Sequence, residues 1–198
     1  MSCLALMLAV ATTGQVRYWV DAELTGFGRD QVWAITAEAA SQWMSAADVT
    51  IYPAASSAEA NLHVRGIDSP WAGMTTVGGP NFFRRGGVAR LGLNRNRAFS
   101  YKTLRAVATH EMGHALGLDH DEGVMAPTVG EHTRFSANNT ASVASLWGPR
   151  RYAPPQAAPP TALIPVPIDD WPAAPPEDDW PAAPLVDDLP AAPLYSGI

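Results

Sequence analysis

Apolar side chains early in the chain recur at helical spacing. In RDQVWAITAEAASQWMSAA, Val32, Ile35, Ala39 and Trp43 fall three or four residues apart, which predicts an amphipathic helix. The period then shortens. DVTIYP and ANLHVRGI read as strands; in the second, Leu62 and Val64 alternate with Asn61, His63 and Arg65. A glycine-rich passage from Asp68, DSPWAGMTTVGGPNFFRRGG, holds the short strand-like AGMTTV, and GGVARLGLN predicts a further strand. Helical spacing returns in SYKTLRAVAT, through Leu104, Val107 and Ala108. Ser100 is suited to cap that helix, and no proline occurs from Ser100 through His120.

The helix runs into HEMGHALGLDH, residues 110–120, which holds three of the five histidines of the chain. His110 and His114, at i and i+4, share one helical face a turn apart. His120 breaks the pattern. Six residues of continuous helix would rise roughly 9 Å and turn the side chain to another face. Convergence of all three requires the helix to stop and the chain to fold back, and Gly117 stands where the turn is needed. Three neutral imidazoles leave zinc one open position, the arrangement of a catalytic rather than a structural site. Glu111 then has the chemistry of a general base toward a water bound there, and peptide-bond hydrolysis is the reaction these parts suit best.

HEMGHALGLDH resembles the H-E-x-x-H-x-x-G-x-x-H zinc motif of the metzincin metalloproteases, and GVMAP places Met125 where that family has a methionine in a tight turn below the metal. The GLDH ending and the Met-x-Pro pattern are most similar to the matrixin branch. Asp121, where matrixins tend to carry a small hydroxyl residue, is instead similar to the adamalysin branch. QVRYWVDAEL looks like the family's first strand, and RFSANNTASVASLWG is similar to its closing helix, with Ser136 as cap. The resemblance implies an α/β (α+β) fold: a mixed, twisted sheet with a backing helix, an active-site helix and a C-terminal helix. It implies zinc held by His110, His114 and His120, Glu111 as catalytic base, and a peptide or protein substrate. An extended substrate would pair with the edge strand at Gly73, Met74, Thr75, Thr76 and Val77. The wall of the pocket downstream of the scissile bond would come from residues 127–133, beginning with Pro127 and Thr128. Pro127 also stands where other branches carry a metal-associated tyrosine, so no tyrosine ligand is expected. Matrixins use structural calcium and a second zinc as well. No clear calcium motif is present, and His63 and His132 are too few for the three-histidine structural site.

Composition sets the domain plan. With 198 residues, 47% of them hydrophobic, the chain can bury one substantial core, expected over residues 16–149. After it come IDDWPAAPP, EDDWPAAPL and VDDLPAAPL in immediate succession, a nine-residue repeat with proline in every copy. Such a segment favours extended, solvated chain, so residues 150–198 are expected to form a disordered acidic tail. All 13 Lys and Arg lie at or before Arg151, against 12 of the 19 acidic residues. The body is therefore nearly neutral, while the tail carries seven acidic groups and no basic one beyond Arg151. The arginines at 84, 85, 90, 95 and 97 read as a solvated loop and strand face, and no basic stripe suggests nucleic acid.

Residues 1–15 are apolar from Cys3 to Ala11, and Ala9-Val10-Ala11 resembles a signal-cleavage site, which makes secretion an expectation. The run is too short to span a membrane. Cys3, the single cysteine, excludes an intrachain disulfide and lacks the pattern of a latency cysteine on the zinc, so pro-peptide control is not expected. A monomer is expected. Two other functional classes remain beside the peptidase: a non-catalytic zinc-containing binding or tethering protein acting through the repeats, and a hydrolase of cell-wall peptides.

Overall fold

The computed structural model describes residues 15–131 and 133–150. The N-terminal apolar run, Cys3, His132 and the repeats from Ile168 lie outside the described residues. Five strands and four helices follow in the order β1 (Gln15–Asp21), α1 (Arg29–Ala46), β2 (Thr50–Pro53), β3 (Leu62–Ile67), β4 (Gly73–Thr75), α2 (Pro80–Arg84), β5 (Ala89–Asn94), α3 (Tyr101–Ala115) and α4 (Ala137–Trp147). A 3-10 turn at Gly123–Met125 separates the last two helices. Among the described residues no helix is long and apolar enough to cross a membrane.

The strands form one mixed sheet in the order β2-β1-β3-β5-β4, with β4 alone antiparallel to its neighbour. The alternation seen in the sequence decides its two faces. Tyr18, Leu62 and Ala89 lie side by side, as do Val20, Val64 and Leu91, and all six are buried. Helices α1 and α3 cover that face through Val32, Ile35, Ala39 and Trp43 on one and Leu104, Val107, Ala108 and Met112 on the other. At about 25 cal/mol per Å² of apolar surface removed from water, this shared core is the main stabilising element.

Two tryptophans fix α3 against its neighbours. The Trp43 indole of α1 donates to the Thr109 carbonyl, and the Trp147 indole of α4 donates to the Leu116 carbonyl, both at 2.8 Å. The second bond satisfies a carbonyl left over where the helix ends. Ser100 caps the start of α3 by accepting from the Thr103 amide, and Ser136 caps α4 by accepting from Asn139.

The short helix α2 falls in the glycine-rich passage and has no counterpart in the apolar periodicity. Its five residues are too few to show one. The signal present is punctuation: Pro80 at the first turn, and Gly86 just past the end at φ +78°.

Candidate metal centre

Helix α3 ends as convergence of the three histidines requires. The Gly117 amide donates to the His114 carbonyl and the Leu118 amide to the Gly113 carbonyl, at 2.9 and 3.0 Å. This is a Schellman cap, and Gly117 takes the left-handed conformation it needs at φ +97°. A Cβ there would also lie 2.9 Å from the Gly79 Cα. The chain then doubles back, and His110, His114 and His120 each bring a ring nitrogen to within 4.8 Å of the others.

Backbone carbonyls orient two of the rings. His110 Nδ1 lies 2.8 Å from the Val124 carbonyl oxygen, and His114 Nδ1 the same distance from that of Leu118. A carbonyl only accepts, so both Nδ1 atoms carry the proton and both Nε2 lone pairs are free. Those Nε2 atoms face each other at 3.0 Å. Two lone pairs at that distance repel unless a cation lies between them. The separation is close to the roughly 3.3 Å edge of a tetrahedron with zinc–nitrogen bonds of about 2.0 Å. Burial, with His114 and His120 nearby, lowers the His110 pKa to about 4 against the opposing pull of the Val124 carbonyl. Burial and His114 lower that of His120 as well, opposed by Asp119. Both shifts favour the neutral imidazole, the form that ligates metal, at His110 and His120, and the donor set of three histidines fits zinc.

Glu111 is 5% exposed, and its Oε2 is buried without a hydrogen-bond partner. Burial pushes its carboxyl up to about 7, with the nearby Thr75 hydroxyl, short of a well-formed hydrogen bond, pulling the other way. The carboxylate rests against β4. A Cβ on Gly73 would lie 2.5 Å from Glu111 Oε1, so only glycine leaves room there.

Strand β4 closes one edge of the sheet. The Asn94 amide donates to the Ala72 carbonyl and the Thr76 amide to the Arg90 carbonyl, so the even-numbered residues face β5. In an antiparallel ladder the alternate residues then turn their amides and carbonyls outward. These are Gly73 and Thr75, the same two residues that lie against Glu111. The regular strand stops at Thr75; Thr76 continues the ladder through its amide, and Val77 lies beyond it with its side chain exposed. Met74 projects from the other face and is also exposed.

Met125 is fully buried. Gly113 admits it: a Cβ at that position would lie 2.3 Å from Met125 Sδ and 2.7 Å from the Trp43 ring. Pro127 and Thr128 follow after Ala126 and are exposed. Asn139 of α4, which the sequence patterns do not single out, braces this turn. Its side chain accepts from the Val124 amide and donates to the Glu122 carbonyl, at 3.1 and 2.9 Å, and it is wholly buried. Val124 in turn holds His110, so the brace reaches the centre in two steps.

The family model of the matrixins matches residues 11–148 of the chain. A search of curated proteins found no match.

Proposed function

The chain belongs to the matrixin family of metallopeptidases, and from that premise we propose that it is a zinc-dependent endopeptidase with Glu111 as its general base. What carries the reading is a buried carboxyl whose Oε2 has no hydrogen-bond partner, in the residue next to the first of three clustered histidines and against an open strand edge. His110, His114 and His120 would hold the zinc. Bound there, the ion would supply Lewis acidity toward a peptide carbonyl and would acidify its water.

The protein's own groups do the rest. The outward amides and carbonyls of Gly73 and Thr75 hold the substrate extended, as an added strand. This places a peptide bond over Glu111. In its ionised form Glu111 takes a proton from the attacking water and returns it to the leaving amine nitrogen. Its pKa near 7 suits both transfers, because neither form is far from reach at neutral pH. The Asn139 brace and the cap at Gly117 keep the ligands in place while this happens. Pro127 and Thr128, exposed after the methionine turn, support a substrate wall on the opposite side.

A purely zinc-binding module has no need of a buried base beside the metal, and that disfavours the tethering alternative. The apolar run from Cys3 to Ala11 supports action outside the cell. The deciding experiment compares wild type with Glu111→Ala for zinc content, melting temperature and cleavage of an unstructured peptide library. The variant is expected to keep its fold and zinc and to lose at least about 10,000-fold in rate, because the group serves two proton transfers. Equal rates at equal zinc content would remove Glu111 as base.

A further inference from the structure

The face of the sheet turned away from α1 and α3 is open at Arg65 and Arg90, while Trp19 at its margin meets Trp33 of α1 edge-on at 5.7 Å and carries the Arg29 guanidinium over its ring at 4.9 Å. The face carries a row formed by Trp19, His63 and Arg90 on neighbouring strands, with Arg17 and Arg65 on the rows to either side. Arg65 and Arg90 are exposed; Arg17, Trp19, His63 and Tyr52, the neighbour of Arg17, are half-buried. The ion pairs Arg95–Asp68 and Arg105–Glu38 lie elsewhere and involve none of these three arginines. Asp21, the exposed cross-strand neighbour of Arg65, is the acidic group of this face, so three arginines stand against one carboxylate beside aromatic side chains, within a domain close to neutral overall.

We propose that the acidic repeats of the chain's own C-terminal segment dock on this face. The first ground is charge. Each repeat opens with an acidic pair, Asp169-Asp170, Asp178-Asp179 or Asp187-Asp188, and the segment after Arg151 has no basic residue to compete for them. The second is side-chain chemistry. Each pair is followed at once by Trp171, Trp180 or Leu189 and then by Pro-Ala-Ala-Pro. A carboxylate pair beside an indole matches guanidinium groups beside Trp19 and Tyr52, through charge-assisted hydrogen bonds and cation–π stacking. The third is reach. Pro149 bridges to Ala47, just before the edge strand β2, so the segment departs beside the sheet. The residues between Arg150 and Ile168 would span roughly 55 Å as extended proline-rich chain at about 3.1 Å per residue, enough to cross any part of the face.

Successive acidic pairs would stand roughly 28 Å apart at the same rise. The three arginines lie on adjacent rows of one small sheet, so one repeat occupies the face at a time. Three copies raise the local concentration of the motif rather than adding contacts, and exchange among them is fast.

The test uses the full chain, 15N-labelled, with Glu111→Gln to prevent self-digestion. The probe is the set of backbone and indole resonances of residues 168–194, compared with those of a synthetic peptide of the same sequence. At low salt the repeat resonances are expected to be shifted and broadened relative to the peptide, independently of protein concentration. They should return to the peptide positions at about 0.5 M salt, where screening lengths fall to a few ångströms. The triple variant Arg17→Gln, Arg65→Gln, Arg90→Gln should show free-peptide positions at all salt concentrations. A second variant leaves the domain untouched: Asp→Asn at the six repeat aspartates should release the shifts of Trp19, His63 and Arg65 and change nothing else in the domain. Free-peptide positions at low salt in the unmodified chain overturn the proposal. So does concentration dependence, which would place the repeats on a second copy, and so do shifts of the face that survive Asp→Asn, which would point to the N-terminal segment as occupant.

Discussion

At the scale of single residues, the site depends on a carboxyl group kept where carboxylates are unfavourable. Folding raises the Glu111 pKa from about 4.5 to about 7, so the native state binds its proton more tightly than the unfolded chain. The native protein therefore holds more protons between those values, and stability is lost as pH rises through that window. At 1.36 kcal/mol per pKa unit the loss is on the order of 3 kcal/mol. In chelator, Glu111→Gln is expected to gain on wild type by about that much between pH 4.5 and pH 8, measured by urea unfolding; a constant difference across the range would mean that the carboxyl is not held protonated. Gly73 gives a second test. Gly73→Ala would push the carboxyl aside by the 2.5 Å clash with its Oε1. Displacements of about 1 Å near reacting groups cost roughly 100-fold in rate, so kcat should fall by that order while zinc content stays whole. Glu111 itself was legible in the sequence because it sits inside a motif whose spacing has a reason. Asn139 was not: an asparagine in polar company such as SANNT is ordinary at a helix start, and only the fold brings it under Glu122 and Val124.

At the scale of elements, periodicity served wherever an element had a face to bury. Val32, Ile35, Ala39 and Trp43 predicted α1, and all four are buried. Leu62 and Val64 against His63 and Arg65 predicted the two faces of β3. Helix α2 and the short extent of β4 were not legible, since five and three residues show no period. The end of α3 was legible through a conflict: histidines at i, i+4 and i+10 cannot meet on one helix, so the helix had to stop. Gly117→Ala tests this directly. A left-handed conformation costs an L-residue about 1–2 kcal/mol, and the new Cβ would crowd the Gly79 backbone. The expected result is a zinc affinity at least tenfold weaker, read by competition with a chromophoric chelator, because the turn that presents His120 must shift. Unchanged affinity would show that the cap is not what delivers the third ligand.

At the scale of the whole molecule, the sheet order was beyond the sequence: alternation says which side chains share a face, not which strands are neighbours. Yet that order brings the parts of the candidate site together. The antiparallel β4 at the edge brings an open ladder alongside α3, and the loops after α3 return His120 and Met125 to the same end. The centre thus joins parts of the chain that local contacts do not hold together. His110 is buried on a helix, whereas His120 is exposed on a loop. Metal is then a tertiary cross-link, and its removal should loosen the molecule by mass action. Zinc that binds only the native state stabilises it by RT ln(1 + [Zn]/Kd), about 4 kcal/mol at a thousandfold excess over Kd. The melting temperature of the full chain should therefore climb with the logarithm of free zinc and fall in chelator. His120→Ala separates this effect from packing. An exposed side chain contributes little by contact, within about 0.5 kcal/mol, so the variant should melt with metal-free wild type in chelator. In zinc it should lack most of the rise, because two imidazoles hold the ion poorly. A variant that melted well below wild type in chelator would make His120 a packing residue, and one that kept the full rise in zinc would leave the ion bound by other groups.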